Sequence, residues 1–197
     1  MNFIIFICAI LGSYLLGSTC SAIIVCQLLK KPDPRTLGSK NPGTTNVLRL
    51  YGKFAAALTL LGDVAKGLIP VLLAQLLQLP QMVVALIGLA AFIGHLFPVF
   101  FGFKGGKGVA TTFGIVFGLN MMLGALATAT WILTAIISRY SSLAALIMVM
   151  TLPIYCYLLN LSGYVIPLSI LSIMVLITHR SNIKRLWYKQ ERKLGKQ

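Results

Sequence analysis

The stretch GHLFPVFFGFKGGKGVATT, Gly94 to Thr112, concentrates residue types suited to holding phosphate. Gly102, Gly105, Gly106 and Gly108 are interleaved with Lys104 and Lys107, directly after an apolar run long enough to cross a bilayer. Glycine lets a ligand approach backbone N–H groups, and lysine brings charge to phosphate oxygens. The expectation is a phosphate-binding loop at a membrane surface. The loop is not a Walker A motif, because Lys107 is followed by Gly108 rather than Ser or Thr, and no dinucleotide fingerprint is present. A glycine-rich hairpin anchored to headgroups by two lysines is the plainer alternative.

Two further polar clusters accompany it. In Asp33–Arg49, Pro32, Pro34, Pro42 and the intervening glycines break any continuous helix, and hydroxyl and amide groups are dense. Thr44 or Thr45 is expected to cap the helix that follows, leaving a positive dipole end near the loop. Thr45, Asn46, Arg49 and Lys53 extend the polar face; a capped loop with ordinary basic charge reads the same. The last cluster, His179 to Leu186, places His179 and Asn182 three apart on one helical face, with Arg180 and Lys184 on another. A basic amphipathic tail on the membrane explains the lysines there, but not the His/Asn pair.

Acidic residues number three: Asp33, Asp63 and Glu191. That is too few for an aspartate-rich Mg²⁺ site, so no metal or other cofactor is expected. Neither His95 nor His179 has an aspartate five positions on, and Gly-x-Ser-x-Gly is absent. The remaining chemistry is a cationic, donor-rich site with little general-base capacity. It suits attack by an alcohol on an acyl group that already carries a good leaving group, accelerated by positioning and charge stabilisation.

These clusters need a membrane scaffold. The 197 residues are 58% hydrophobic and 10% charged, with mean hydropathy +0.91. Long unbroken apolar blocks argue for one helical membrane unit over 1–197 and against a β-barrel. The formal charge of +14 is read as cytoplasmic loops meeting anionic headgroups, so nucleic acid is not expected as a partner. Cys8, Cys20, Cys26 and Cys156 lie in apolar blocks and read as buried small hydrophobes.

Clear spans are Asn2–Leu29, Phe54–Leu79, Gln81–Phe101, Ser142–Asn160 and Tyr164–Thr178. The block Val109–Ser138 is too long for one crossing. Two crossings, turning near Gly118-Leu119-Asn120, put every basic cluster on the cytoplasmic side. The expected fold is therefore all-α with seven transmembrane helices, N-terminus outside and C-terminus cytoplasmic. Lys66 then stands inside a span with Asp63 three residues earlier, and a neutralised packed pair is favoured over a catalytic one. Gly12, Ser13, Gly17, Ser18 and Ser21 are read as close helix-packing positions.

Taken in order, the clusters resemble the three motifs of the bacterial membrane acyl-phosphate:glycerol-3-phosphate acyltransferases, the PlsY family. Gly38–Arg49 resembles the first motif, Gly94–Thr111 the second and His179–Glu191 the third. One departure is Lys189, where the family usually has glycine two residues before the glutamate, which weakens any role for Glu191. The resemblance implies a multi-pass enzyme of the bacterial inner membrane whose active site faces the cytoplasm. It would acylate the sn-1 hydroxyl of glycerol 3-phosphate from an acyl phosphate, giving lysophosphatidic acid and inorganic phosphate.

By the same resemblance, Ser39, Thr45, Asn46 and Arg49 would hold the glycerol phosphate. Lys104, Lys107 and glycines 102, 105, 106 and 108 would cradle the donor phosphate, and His179 and Asn182 would complete the pocket. Ser142 is a further candidate, and His95 is either structural or part of the site. A soluble enzyme that makes the acyl phosphate is a candidate partner for the basic loops. The rival readings are a transporter of a phosphorylated metabolite, which should show midplane polar groups and repeat symmetry, and a noncatalytic lipid-binding scaffold.

Overall fold

The computed structural model describes residues 3–195; Asn2, the expected start of the first span, and Lys196 of the basic tail lie outside them. Those residues form an all-helical bundle: α1 (Phe3–Gly17), α2 (Ser21–Leu28), α3 (Thr44–Leu76), α4 (Gln81–Leu96), α5 (Val109–Leu119), α6 (Met121–Ser138), α7 (Ser141–Leu158), α8 (Ser162–Thr178) and α9 (Arg180–Trp187). A single 3₁₀ turn, Val99–Phe101, follows α4. Four elements are long and apolar enough to cross a membrane, or six when the bent pairs α1/α2 and α8/α9 each count as one span.

The turn expected inside Val109–Ser138 is present. Asn120 adopts an extended backbone and its side chain accepts a hydrogen bond from the Leu123 N–H (3.0 Å), capping α6. Helix α5 has eleven residues and rises about 16 Å, roughly half the hydrocarbon thickness.

Two boundaries differ most from the sequence expectation. Asn2–Leu29 is not one helix: it breaks at Ser18–Cys20 and bends by 44°. Ser18 Oγ returns to the Tyr14 carbonyl (2.8 Å), and the Thr19 carbonyl, freed at the break, accepts from Lys66 Nζ (2.7 Å). Helix α3 begins ten residues before Phe54 and kinks at Gly52, whose φ of +84° is open to glycine. Its N-cap is Gly43, with no side-chain cap, so neither Thr44 nor Thr45 caps it.

Small residues set the crossings. A Cβ at Gly17 would collide with the Ala91 carbonyl, and one at Gly94 with the Tyr14 carbonyl, so α1 lies backbone to backbone on α4. Gly67 and Gly114 do the same for α3 against α5. Ser13 Oγ donates to the Ile87 carbonyl (2.6 Å), and Ser21 packs against Gly62. A Cβ at Gly12 would meet nothing within 4 Å beyond its own helix, so the close-packing assignment does not extend to it. Phe92, Ile115, Leu123, Met148, Leu152 and Leu171 fill the core between α4 and α8. Cys20, Cys26 and Cys156 are buried as expected, whereas Cys8 is exposed on the bundle surface.

Lys66 and Asp63, 3% and 2% exposed, pair at 2.9 Å, and His95 Nδ1 lies 3.6 Å from the same carboxylate oxygen. The pair therefore joins α3 to α4 and to the α1/α2 break. We expect Lys66→Met to destabilise the protein by about 3 kcal/mol, because it strands a buried carboxylate. Asp63→Leu/Lys66→Met should recover much of that loss, and thermal unfolding in detergent compares the two.

Candidate active site

The three sequence clusters meet at one end of the bundle. The first is carried by the loop between α2 and α3 and by the first turns of α3. Asn46, buried on α3, holds that loop: its Oδ1 accepts from the Ser39 N–H (3.0 Å), and its Nδ2 donates to the Pro34 (3.0 Å) and Leu37 (3.2 Å) carbonyls. Asn46 was expected to touch substrate. Its amide is instead occupied in shaping the segment that presents Ser39, which stays exposed. Thr45 is half-buried, one position before it. Arg49 is exposed and forms no salt bridge among the described residues.

The second cluster begins where Pro98 ends α4. The chain turns at Gly102 (φ +68°) and Phe103 (φ +58°), and enters α5 through Gly108 (φ +84°). Gly105 and Gly106 correct the sequence reading. Their N–H groups donate to the Leu96 and His95 carbonyls (3.2 Å each), so neither is free to meet a phosphate. A Cβ on Gly105 would strike the His95 carbonyl, and one on Gly106 the His95 ring. Glycine is needed there to let the loop lie on the end of α4. The first N–H groups of α5, from Val109 to Thr111, have no acceptor within the helix, as at any helix start.

His95 is thus structural in two ways: it faces Asp63 through Nδ1 and supports Gly106 with its ring. Lys104 is exposed. Lys107 is half-buried, and its Nζ donates to Asn182 Oδ1.

The third cluster lies where α8 gives way to α9 with a 59° bend. His179 sits in the bend, buried, with Nδ1 on the Val175 carbonyl (2.9 Å). That bond leaves Nε2 as the acceptor nitrogen. Burial, and then the nearby Lys107 charge, push the His179 imidazole down to about 4 against the opposing pull of the Val175 carbonyl and Glu191. The ring is neutral at physiological pH. Asn182 is buried one turn further on.

Glu191, whose role the Lys189 departure weakens in the sequence, is fully engaged in the structure. Its Oε1 accepts from Asn182 Nδ2 (2.7 Å) and Ser142 Oγ (2.8 Å), and its Oε2 from Arg185 Nε (2.6 Å). Burial acts to raise the carboxyl, but those three donors outweigh it and hold it below the usual carboxylate range. One carboxylate therefore ties α7 to α9 and, through Asn182, to Lys107 of the glycine loop. Lys189 does not displace it. Its φ of +57° is the left-handed turn that glycine would make, closed by Lys189 N–H on Leu186 (3.1 Å) and Gln190 N–H on Arg185 (2.7 Å).

Lys107 and Asn182 are thus joined directly, Ser142 is joined to them through Glu191, and the Lys107 charge acts on His179. Arg49 lies within the field of Arg192, Glu191 and Arg185. Ser39 and Lys104 stand exposed at the same end without a hydrogen bond to this network. Burial, then Arg185, pull the Lys107 ammonium down to about 8, with Glu191 opposing.

Fold and site together define an integral membrane helical protein with a cationic, donor-rich cluster at one end and, among the described residues, every side-chain carboxylate paired with a cation. The family profile described as Glycerol-3-phosphate acyltransferase matches residues 7–189. A glycerol-3-phosphate acyltransferase of Thioalkalivibrio sulfidiphilus is 50% identical, covering 94% of this chain and 92% of its own. One from Hydrogenovibrio crunogenus is 51% identical, covering 95% and 91%. The crystal structure of PlsY, an integral membrane glycerol 3-phosphate acyltransferase, in its glycerol 3-phosphate form superimposes with TM-score 0.92 at 33% identity, covering 96% of each chain. The chain belongs to the glycerol-3-phosphate acyltransferase family.

Two tests follow from this geometry. Gly105→Ala should lower stability by about 2 kcal/mol through overpacking against α4. A rise in substrate KM with unchanged thermal unfolding would restore the ligand-approach reading of that glycine. Because Lys107 is charged below about 8 and neutral above it, sulfate affinity should fall as the pH rises from 7 to 9. Calorimetry on Lys107→Met should show that dependence removed.

Proposed function

We propose that this glycerol-3-phosphate acyltransferase takes its acyl group from an acyl phosphate and transfers it to the sn-1 hydroxyl of glycerol 3-phosphate. Lysophosphatidic acid and inorganic phosphate are the products. The observation that carries the reading is the Lys107–Asn182 hydrogen bond, which joins the glycine loop to α9, where the charges of Glu191 and Arg185 also act on Arg49. The solved PlsY forms, one named for glycerol 3-phosphate and the other for lysophosphatidic acid, support the acceptor and the product.

In this reading Ser39, Thr45 and Arg49 hold the acceptor phosphate. Lys104, Lys107 and the first turn of α5 hold the donor phosphate, with Gly102 and Gly108 supplying the left-handed turns that aim them. Asn182 and His179 line the space between, and Asn46, Gly105, Gly106, His95 and Ser142 fix the frame.

The acceptor oxygen attacks the acyl carbon, and the carbon–oxygen bond to the donor phosphate breaks. The hydroxyl proton passes to a phosphate oxygen of the donor. Burial lowers the basicity of His179, and the Glu191 carboxylate already accepts from Asn182, Ser142 and Arg185, so neither is a ready acceptor for that proton. Cationic groups stabilise the charge that develops on the carbonyl oxygen and on the leaving phosphate.

The topology that accompanies this reading has seven crossings, with α1/α2 as the first and the short α5 as the fourth. The N-terminus lies outside, and the basic clusters face the cytoplasm across a bacterial inner membrane, as the charge bias supports. Purified protein given palmitoyl phosphate and glycerol 3-phosphate should release phosphate and form lysophosphatidic acid in equal amounts. Phosphate release independent of glycerol 3-phosphate, or no release, would defeat the assignment.

A further inference from the structure

Neither Asp33 nor Arg35 belongs to the three clusters' substrate-facing residues, yet the pair is fixed by four hydrogen bonds at this end of the bundle. Asp33 Oδ1 accepts from the Arg35 backbone N–H (2.8 Å) and from Arg35 Nε (3.2 Å). Asp33 Oδ2 accepts from Nε (3.0 Å) and Nη2 (2.8 Å). The carboxylate therefore faces the guanidinium along one edge and fixes its plane. The free edge crosses 66 residues of sequence: Nη1 donates to the Phe101 carbonyl (2.8 Å).

Phe101 closes the turn after α4, immediately before left-handed Gly102 opens the glycine loop. On the other side, the Pro34 carbonyl, adjacent to Arg35, accepts from Asn46 Nδ2, and Asn46 Oδ1 accepts from the Ser39 N–H. A continuous path thus runs from the glycine loop through Arg35 to Asn46 and Ser39. Each link is a backbone carbonyl or N–H held by a fixed side chain.

We propose that Asp33 and Arg35 form a positioning brace that sets the separation between the Ser39–Arg49 segment and the Lys104–Gly108 loop. This rests on the reading that the first segment holds the acceptor and the second the donor phosphate. Arg35 itself is no phosphate ligand, because its charge is already matched by Asp33. Its effect is on approach: two substrates bound on separate loops react at a rate set by how well those loops are held relative to each other.

The pair is a poor candidate for a mere stability element. Its side chains are 27% and 31% exposed, and ion pairs so placed contribute little to folding. Loosening it should act on the reaction while leaving the fold intact.

The test uses the full-length enzyme with palmitoyl phosphate and glycerol 3-phosphate, comparing Arg35→Gln, Asp33→Asn, the double variant and Arg35→Lys. We expect Arg35→Gln to lower kcat by about tenfold or more, since displacements of the order of 1 Å cost that much in positioned reactions. The KM for each substrate should move less than about threefold, and thermal unfolding should move little. Asp33→Asn should show the same pattern more weakly, and the double variant should be no worse than Arg35→Gln, because the residues act as one unit. Arg35→Lys, with one point donor instead of a fixed edge, should recover only part of the kcat.

A kcat for Arg35→Gln within twofold of wild type overturns the brace. So does a rise in the glycerol 3-phosphate KM as large as the fall in kcat, which would make Arg35 a binding residue. A fall in kcat matched by collapse of the unfolding temperature in all four variants also overturns it. Wild-type turnover with unaltered variants defeats the brace alone, whereas absence of wild-type turnover defeats the function reading and the brace with it.

Discussion

With three carboxylates against seventeen Lys and Arg residues, each carboxylate can neutralise one patch of the protein, and its placement decides which cations stay available. All three stand at junctions between elements distant in sequence. Asp33 orients Arg35 onto the start of the glycine loop. Asp63 pairs with Lys66 and faces His95, where α1, α3 and α4 meet. Glu191 gathers Ser142, Asn182 and Arg185. The cations so matched are structural. Arg49 and Lys104 form no salt bridge among the described residues, and the Lys107 contact is to a neutral amide. The site's field is therefore set by where the negative charge has been placed elsewhere.

A cluster with unmatched positive charge and, among the described residues, no unpaired side-chain carboxylate favours anionic ligands and disfavours proton abstraction by the protein. Burial acts against charge on both groups: it weakens the ammonium of Lys107 and the basicity of His179 together. An incoming phosphate would reverse the first effect, since an anion beside Lys107 stabilises its charged form. Ligand and site thus neutralise one another, which is consistent with chemistry driven by charge placement rather than by a strong base.

Much of the site was legible because its residue types are rare in apolar sequence. Lys107, Asn182, His179 and Arg49 stand out against spans of Leu, Ile and Val, and the turn at Asn120 was visible as a polar residue between two apolar runs. Other features were not legible, for identifiable reasons. The glycines at 105 and 106 have the composition of a ligand cradle, but their contacts are with a helix end that sequence does not show to be adjacent. The break at Ser18–Cys20 has no proline to announce it, because its freed carbonyl is satisfied from α3 by Lys66. Glu191 was discounted for an unfamiliar neighbour, although its rarity in this chain was a usable signal. Asn46 looked like a contact residue and proved to be the residue that shapes the loop.

The turn at position 189 bears on how relatives are recognised. A side chain in the left-handed region costs about 1 kcal/mol relative to glycine, and Lys189 carries that cost while delivering Glu191 to its three donors. What the clamp demands is a dihedral angle, and residue identity is one of several ways to obtain it. A signature that insists on glycine there would therefore reject chains whose clasp is intact, whereas a search keyed to the glutamate and its asparagine would retain them.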